Sequence, residues 1–444
     1  MIRGGYGIFY DLVPGTLVDN FINNAPGNID LRDVATGAGT PGVQGNLFAP
    51  GVAGSTYTVL TNSAAAFRQQ FANGDTFASI RANTPQFTGI SYQDATNTVK
   101  TPQFQKWNLQ LEQAVGSKTS VSANYVGNRG THIPLYYGFL NARCTNAIAC
   151  ANVRSVIPSA SPNAQFTSIR QLESIGYSNY NGLTLAMQRR FTAGLQASFS
   201  YTWSHALDTV SNGGVLPWSL DDSLQTVLSP VNQSLNYGNP DYDVRHSINA
   251  NYVYELPFKS GKGLFNALIG GWTVSGTFFY HTGFPFTVTD STAFANLVTN
   301  GTGLGLPGNI ANPVDFKACT SGPAIDVNAP GCLSKSDFNR VGTAFPIPSI
   351  FSNQHRNQFI GPGYFNTDMS LRKAFRLTER FRFSVGANAY NLLNHPNFGA
   401  PGATLSGNLG VFTTTVNPPT SALGSGLSGD AASRAVQLEG RLTF

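Results

Sequence analysis

Charge is scarce in this sequence. Asp, Glu, Lys and Arg make up 11% of its 444 residues, whereas an ordinary soluble domain carries about 25%. A surface solvated mainly by charged side chains is therefore excluded. The net charge of +5 is small for this length and the basic residues are scattered, so a nucleic-acid partner is not expected.

Long apolar runs are missing as well. The uncharged segment from Gly263 to Thr289 is interrupted by Asn, Thr and Ser and by several glycines, so it predicts a strand and not a transmembrane helix. The first residues, Met1 to Gly7, show no apolar core followed by a cleavage site, so a secretion signal is not expected in this sequence. Either the protein stays inside the cell or its natural N-terminus lies upstream.

The four cysteines form two local pairs, each in a polar segment that predicts a loop. Local pairs in loops indicate disulfides made in an oxidising compartment, here Cys144–Cys150 and Cys319–Cys332. A four-thiolate zinc site is the alternative, but the two pairs lie far apart and lack the short spacer of such sites.

What the sequence has instead is alternation. Several segments alternate apolar and polar residues with period two, which is typical of a strand that has lipid or core on one side only. In the clearest one, Leu195 to Ser204, apolar residues occupy the odd positions and polar residues the even ones. Together the segments predict about ten strands of barrel-spanning length. They cover residues 3–10, 103–115, 118–126, 179–190, 193–204, 245–256, 270–282, 365–375, 379–392 and 433–444.

The connections between these strands alternate in length. Three links are short and one, 258–268, is of medium length, and they alternate with long links. The long links are 11–102, 127–178, 205–244, 283–364 and 393–432. Short periplasmic turns and long extracellular loops alternate in this way in outer-membrane barrels, whereas a soluble sandwich or propeller rarely does so. The predicted fold is therefore all-β: a transmembrane antiparallel β-barrel meander, here a partial barrel of about ten strands with long extracellular loops.

Residues that suggest chemistry are few. Asp243, Arg245 and His246 invite a catalytic interpretation, because a histidine beside a carboxylate can act as a general base. Adjacent strand residues point to opposite faces, however, and no positioned Ser or Cys nucleophile is evident. A structural role at the rim, where the strand begins, is favoured. No catalytic, cofactor-binding or metal-binding residue is predicted, and the chain is not expected to be an enzyme.

A loop rich in aspartate could supply oxygen ligands to calcium. Its members are Asp208, Asp221, Asp222, Asp241 and Asp243. The loop lacks the glycine turn and the terminal glutamate of a known calcium loop, so solvated carboxylates are the favoured interpretation and calcium binding stays open.

Six segments resemble, in order and spacing, the Oar-like TonB-dependent transporters. They are Arg3–Asp11 (RGGYGIFYD), Tyr125–Pro134 (YVGNRGTHIP), Asp243–Ser247 (DVRHS), Tyr254–Phe258 (YELPF), Gly270–Trp272 (GGW) and Asn391–Gly399 (NLLNHPNFG). The resemblance implies a family with a signal peptide, a carboxypeptidase-regulatory-like domain, a plug and a barrel of about 22 strands. Residues 1–444 resemble the C-terminal part of that barrel, so the plug, the regulatory-like domain and the signal peptide are expected to be absent from this sequence.

Two sets of strand residues are candidates for a function. The first is predicted to face the lumen, toward a plug or solute, or simply to hydrate it and form mutual ion pairs. It consists of Arg372, Arg382, Glu439 and Arg441. The second resembles the C-terminal signal by which the barrel assembly machinery recognises outer-membrane barrels, an amphipathic edge strand that ends on an aromatic residue. It consists of Val436, Leu438, Leu442 and Phe444.

The sequence thus predicts a TonB-dependent receptor in the outer membrane of a Gram-negative bacterium, importing a large or scarce solute, here as a barrel fragment. Its expected partners are outer-membrane lipid, the barrel assembly machinery, an unidentified solute and, only through the missing N-terminal part, the TonB complex. A passive pore or structural outer-membrane protein is the first alternative, and a secreted carbohydrate-binding β protein is the second. We expect the ten strands to form an open, curved sheet, with the long loops outside the cell.

Overall fold

The computed structural model describes the strands and part of their connections. The described residues are 1–11, 56–83, 90–144, 157–209, 233–258, 269–290, 298–299, 306–307, 309–310, 338–339, 355–376, 381–403, 409–416 and 433–443. No helix among these residues is long and apolar enough to cross a membrane.

Ten long strands form the main sheet. They are β1 (Ile2–Tyr10), β2 (Gln103–Val115), β3 (Thr119–Tyr137), β4 (Ser168–Thr192), β5 (Leu195–Asp208), β6 (His246–Glu255), β7 (Trp272–His281), β8 (Tyr364–Arg376), β9 (Arg382–Tyr390) and β10 (Ala435–Thr443). Each overlaps one of the ten segments predicted from the alternation. β3, β4 and β5 run further than predicted, on the side of the long loops.

Each of these strands pairs antiparallel with its neighbours in the sequence, so the sheet order follows the chain from β1 to β10. The predicted all-β meander is therefore confirmed. Within the described residues, β1 pairs only with β2 and β10 only with β9, which leaves two sheet edges. The links β2–β3, β4–β5, β6–β7 and β8–β9 lie at one end of the sheet, the turn end; the other end is the loop end.

The register divides the side chains between two faces. Directly opposed residues of neighbouring strands share a face, and successive residues of one strand alternate between the faces. Leu185 lies opposite Tyr201, which lies opposite Ile248, and these form part of an apolar face. Thr184 lies opposite Thr202 on the other, polar face.

The tight turn between β4 and β5 needs a left-handed backbone. The φ angle is 51° at Ala193 and 81° at Gly194, and a Cβ on Gly194 would lie 2.8 Å from the carbonyl oxygen of Glu255. Glycine therefore fits this position best. The turn helps to fix the β4–β5 register, on which the assignment of side chains to faces depends.

The connection 11–102, expected as a loop, contains regular structure. Helices α1 (Thr56–Ala72) and α2 (Phe77–Asn83) precede a short strand, Ser91–Ala95, that pairs parallel with the first residues of β4. The apolar residues of α1 recur at helical spacing, as at Phe67 and Phe71, and not with period two. Alternation alone therefore did not reveal these elements.

These elements join two long connections into one folded unit, which we call the loop cap (residues 56–83, 90–95 and 157–168). Phe67 and Ile80 are fully buried and Ile90 nearly so, and Phe166 packs against them. The backbone N–H of Phe77 donates a hydrogen bond of 2.8 Å to the carbonyl of Ala164. The loop end of the first strands thus carries its own small apolar core.

Within the described residues, the connections also contain short strand pairs and a 3₁₀ turn. The pairs are Arg143–Cys144 with Val298–Thr299, Pro285–Phe286 with Phe359–Ile360, Thr289–Asp290 with Leu306–Pro307, and Asn309–Ile310 with Phe338–Asn339; the 3₁₀ turn is Gln233–Asn236. Cys150, Cys319 and Cys332 lie outside the described residues, so both disulfides remain predictions.

Candidate functional site

The polar face extends across all ten strands and is built mainly from uncharged hydroxyl and amide side chains. Thr184 and Thr202 share a hydrogen bond of 3.0 Å, and the hydroxyl of Ser198 donates to Oδ1 of Asn251 over 2.8 Å. Hydroxyl and amide side chains form hydrogen bonds with water and add no charge to the surface. The face therefore has the chemistry of a wet passage wall.

A charged part of this face lies on the last three strands. Nε of Arg372 donates a hydrogen bond of 2.6 Å to Oε1 of Glu439, and Nδ2 of Asn388 donates to Oε2 over 3.4 Å. Gly386 lies between the two ion-pair partners in the register, and a Cβ there would be 3.0 Å from Oε1 of Glu439. The absence of a side chain at Gly386 lets the ion pair cross the middle strand.

The register places the four predicted lumen-facing residues on one face. Arg372 and Glu439 are both aligned with Gly386, while Arg382 lies opposite Thr443 and Arg441 opposite Ser384. Of these four residues, Arg372 and Glu439 are the two that form an ion pair with each other in the part of the chain that the structure describes.

The opposite face is apolar and open. Of the predicted C-terminal signal, Leu438 is 80% exposed, and Val436 and Leu442 are also exposed on this face; Phe444 lies outside the described residues. Further large apolar residues are exposed on the same face. They include Ile2, Leu109, Leu111, Val121, Leu185, Met187, Phe199 and Trp203. Such a continuous exposed apolar surface needs a non-aqueous neighbour.

Lys373 is a buried cation on the apolar face near the turn end. Lys373 is 3% exposed, its Nζ donates 2.7 Å to the carbonyl of Gly270, and it lies 5.0 Å from the ring centroid of Trp272. The carbonyl and the aromatic ring stabilise the buried ammonium group. Gly270 and Trp272 belong to the GGW segment, which sequence reasoning noted without a role.

The residues that invited a catalytic interpretation are separated by their contacts. Oδ1 of Asp243 accepts the backbone N–H of Ala206 at 2.7 Å, and Oδ2 lies 3.2 Å from Nδ1 of His205. His246 instead contacts the hydroxyl of Tyr201, at 2.8 Å from its Nδ1. The Asp243 carboxylate therefore fastens the loop end of β5, as the favoured structural interpretation proposes.

A buried network at the loop end was missed by sequence reasoning. Arg356 and Asp208 form an ion pair in which both side chains are 3% exposed, and Nε of Arg356 donates to the carbonyl of Asn236 over 3.0 Å. Asn357 and Asn239 exchange two side-chain-to-backbone hydrogen bonds of 2.8 and 2.9 Å. We call these four residues, with Asn236, the rim network. It holds the segment before β8 against the segment before β6.

Burial dominates the electrostatics of the rim network. Asp208 is the last residue of β5 and lies beyond the part of the strand, about ten residues, that a membrane would cover. Desolvation raises the pKa of its carboxyl group to about 6, although the neighbouring Arg356 guanidinium acts in the opposite direction. The carboxylate thus depends on Arg356 for its charged form.

The three described aspartates of the aspartate-rich loop each have a different partner. Asp208 pairs with Arg356, Asp241 accepts a hydrogen bond from Asn357, and Asp243 contacts His205. Asp221 and Asp222 lie outside the described residues. Among the residues that are described, no group of three or more His, Cys, Asp or Glu is arranged to hold a metal ion.

The NLLNHPNFG segment forms a structured turn after β9. Asn391 and Asn394 have positive φ angles of 47° and 53°, a conformation that asparagine tolerates better than most residues. The amide of Asn397 accepts from the N–H and donates to the carbonyl of Phe365, both at 2.8 Å. The side chain of Asn397 thus takes the place of a strand beside the start of β8.

The profile of the family described as outer membrane beta barrel domain matches residues 1–437. The chain belongs to this family. The sheet is accordingly part of a β-barrel in the outer membrane of a Gram-negative bacterium, and the exposed apolar face of the strands is where such a barrel meets lipid. No curated protein matches the chain.

Solved structures with a similar arrangement are outer-membrane transporters and receptors. The Escherichia coli outer membrane transporter YddB has a TM-score of 0.37 and 10% identity over 80% of this chain and 34% of its own. The ferripyoverdine receptor of Pseudomonas aeruginosa has a TM-score of 0.36 and 12% identity, covering 79% and 28%. The siderophore receptor PiuA from Acinetobacter baumannii has a TM-score of 0.36 and 9% identity, covering 79% and 29%. The chain thus spans at most about a third of the length of these structures.

Proposed function

We propose that this chain is the C-terminal part of a TonB-dependent outer-membrane receptor of the Oar-like kind, which imports a large or scarce solute. The observation that carries the proposal is the division of the sheet into a mainly apolar face and a mainly polar face across ten strands of an outer-membrane barrel. A polar inner wall is needed for a passage, and an apolar outer wall is needed for lipid. The proposed role is transport and not catalysis.

The proposal includes further strands that complete the barrel. Within the described residues the edges of β1 and β10 have no partner, and each backbone group left unpaired in hydrocarbon costs several kcal/mol. If β1 paired with β10 instead, a barrel of ten strands would be narrow. Large side chains of the polar face, such as Tyr390, Arg372 and Arg441, would crowd its interior. A wider barrel with a plug accommodates them.

In the proposed receptor the polar face borders the lumen, and Arg372, Arg382, Glu439 and Arg441 meet the plug or the solute there. The turn end lies in the periplasm, and the loop cap and rim network lie outside the cell. TonB would act only through a plug-bearing segment. Large solutes would first meet the outer surface formed by the loops.

The test begins with location. The protein, expressed with a secretion signal, should sediment with outer membranes and require detergent for extraction, because its apolar face is exposed. Recovery as a folded, soluble periplasmic monomer would favour the carbohydrate-binding alternative and contradict the proposal. Peptide mapping without reduction checks the proposed pairs Cys144–Cys150 and Cys319–Cys332 in the same preparation; free thiols or a peptide joining the two loops would refute them.

Transport is tested by comparing three strains: the parent, one lacking this gene, and one lacking TonB. The same solute should remain in the medium of both deletion strains and be depleted by the parent. A solute taken up independently of TonB would contradict the proposal.

The passive-pore alternative makes a separate prediction. The protein reconstituted in liposomes would then conduct small solutes by itself and would show heat-modifiable gel migration, the sign of a closed barrel. We expect no conductance by this chain alone. Conductance of a heat-modifiable species would replace the receptor proposal with the pore.

A further inference from the structure

A cavity of about 590 Å³ lies where β6, β7 and β8 meet the loop end. Its lining includes Arg245, His246 and His395 together with the aromatic residues Tyr280 and Phe365. Neither the transport proposal nor the rim network uses this cavity. The cavity thus combines cationic or titratable side chains with an apolar wall, so it could bind a ligand that has a polar part and an apolar part.

The cavity walls are held in place by local packing. The hydroxyl of Thr282 accepts the backbone N–H groups of Arg245 and His246, at 2.9 and 3.2 Å. Gly361 donates its N–H to the carbonyl of Phe284 over 2.9 Å, and a Cβ on Gly283 would overlap the carbonyl of Gly361. The cavity is therefore a built feature, whose shape depends on glycine at a close backbone contact.

Arg245 supplies an uncommitted positive charge. Its guanidinium group has neither a hydrogen bond nor an ion pair within the part of the chain that the structure describes. The carboxylate of Asp243, which also lines the cavity, already accepts the Ala206 N–H and contacts His205. An anion in the cavity would satisfy the guanidinium, because charge-assisted hydrogen bonds to carboxylate or phosphate are strong.

Two histidines, His246 and His395, line the same cavity as Arg245. Nδ1 of His246 is used by the Tyr201 hydroxyl, so its other ring nitrogen remains for a ligand. The ring of His395 stands edge-on to Phe365 at a centroid distance of 5.5 Å. Arginine with histidine donors suits a phosphate group, which offers several acceptor oxygens.

The aromatic wall continues onto the lipid-facing surface. Phe365 packs against Phe278 at a centroid distance of 5.4 Å, and both residues share the apolar face with Tyr280 by their register. A ligand with an anionic head in the cavity could therefore extend an apolar tail along this surface. Free anions would leave that wall unused.

We propose that the cavity binds the phosphate headgroup of a membrane lipid, with Arg245 as the principal contact and with the acyl chain against Phe365 and Tyr280. The occupant is a lipid because the cavity combines a guanidinium group that has no ion pair within the described residues with a wall continuous with the bilayer-facing surface. This binding is independent of solute transport.

The test uses protein purified from outer membranes in a neutral detergent and titrated with didodecanoyl phosphatidic acid, with binding followed by native mass spectrometry. Didodecanoyl glycerol carries the same tails without phosphate, and inorganic phosphate is the head without tails. Phosphatidic acid should bind, and Arg245→Gln should weaken its binding roughly tenfold or more, in line with loss of a charge-assisted contact. Arg245→Lys should retain most of it.

The matched control is Arg129→Gln, which removes an exposed arginine in the loop half of β3 that does not line the cavity. It should leave the affinity unchanged. Equal weakening by Arg129→Gln, no effect of Arg245→Gln, or equal binding of didodecanoyl glycerol would overturn the proposal. Inorganic phosphate binding as tightly as the lipid would also overturn it, in favour of a site for a free anion. Binding retained by Arg245→Lys also shows that the cavity still folds when the side chain is replaced.

Discussion

The apolar and polar faces of the sheet are made from alternate residues of the same strands, yet they tolerate change differently. On the apolar face, residues such as Leu438 are exposed and make their stabilising contacts with lipid. On the polar face, side chains such as Ser198 and Asn251 hydrogen-bond to each other. A charge is costly on the first face and can be hydrated on the second. The face on which a residue lies should therefore affect the stability change caused by a substitution more than its position along the strand does.

Two arginine–carboxylate ion pairs among the described residues differ in their exposure to water. Arg356 and Asp208 are each 3% exposed in the rim network, whereas Arg372 and Glu439 are 50% and 31% exposed on the polar face. A buried charge that loses its partner keeps the cost of desolvation, while an exposed one is rehydrated. The rim pair should thus be the more sensitive of the two.

The largest effect is expected from Arg356→Gln. Removing the guanidinium leaves the buried Asp208 carboxylate uncompensated, so the free energy of unfolding should fall by about 3–5 kcal/mol. Urea unfolding of the protein in lipid vesicles measures the change. The double variant Arg356→Gln/Asp208→Asn should recover part of the loss, since it removes both charges. A loss below about 1 kcal/mol for Arg356→Gln, as for an exposed pair, would show that the rim pair is hydrated.

Leu185 and Ala186 are adjacent residues of β4 on opposite faces of the sheet, so substitutions at these positions compare the two faces directly. Leu185→Arg places a charge on the apolar face near the middle of the strand, and it should lower the free energy of unfolding by about 2–4 kcal/mol. Ala186→Arg is the control on the polar face, where the guanidinium can be hydrated, and its effect should be much smaller. The same urea unfolding experiment applies. Equal losses for the two variants would mean that both faces are enclosed by the same medium.

The sheet was predictable from the sequence because the two environments impose period two on every strand. The segment from Leu195 to Ser204 shows this alternation in its letters, and the register of β5 reproduces it. The connections carry no such signal. Helix α1 has apolar residues at a spacing of four, as at Phe67 and Phe71, and alternation with period two does not mark it.

The site was predictable only in part, for a related reason. The shared face of Arg372 and Glu439 follows from alternation and strand order. The pairing of Arg356 with Asp208 joins residues 148 positions apart, through loops without a repeat, so no pattern could indicate it. The motifs DVRHS and NLLNHPNFG were visible as motifs, but the roles of Asp243 and Asn397 as acceptors of backbone N–H groups required coordinates.

The smallest effect on stability is expected from the exposed pair. Arg372→Gln should change the free energy of unfolding by about 0–1 kcal/mol, because water replaces the contact with Glu439. Glu439→Gln serves as the matched variant and should behave alike, while Asn388 keeps a hydrogen-bond acceptor. Urea unfolding gives both values. A loss comparable to that of Arg356→Gln would indicate that the polar face is dry.

The central claim, that the even residues of β5 face water and the odd residues face lipid, is tested most directly by single-cysteine labelling. Cysteines introduced at positions 198 to 203 in membrane-embedded protein, with the native loop cysteines as background, are treated with a charged, water-soluble maleimide. We predict high labelling at 198, 200 and 202, low labelling at 199, 201 and 203, and the reverse order for a lipid-soluble maleimide. Labelling that does not alternate, or that alternates in the opposite phase, would contradict the account.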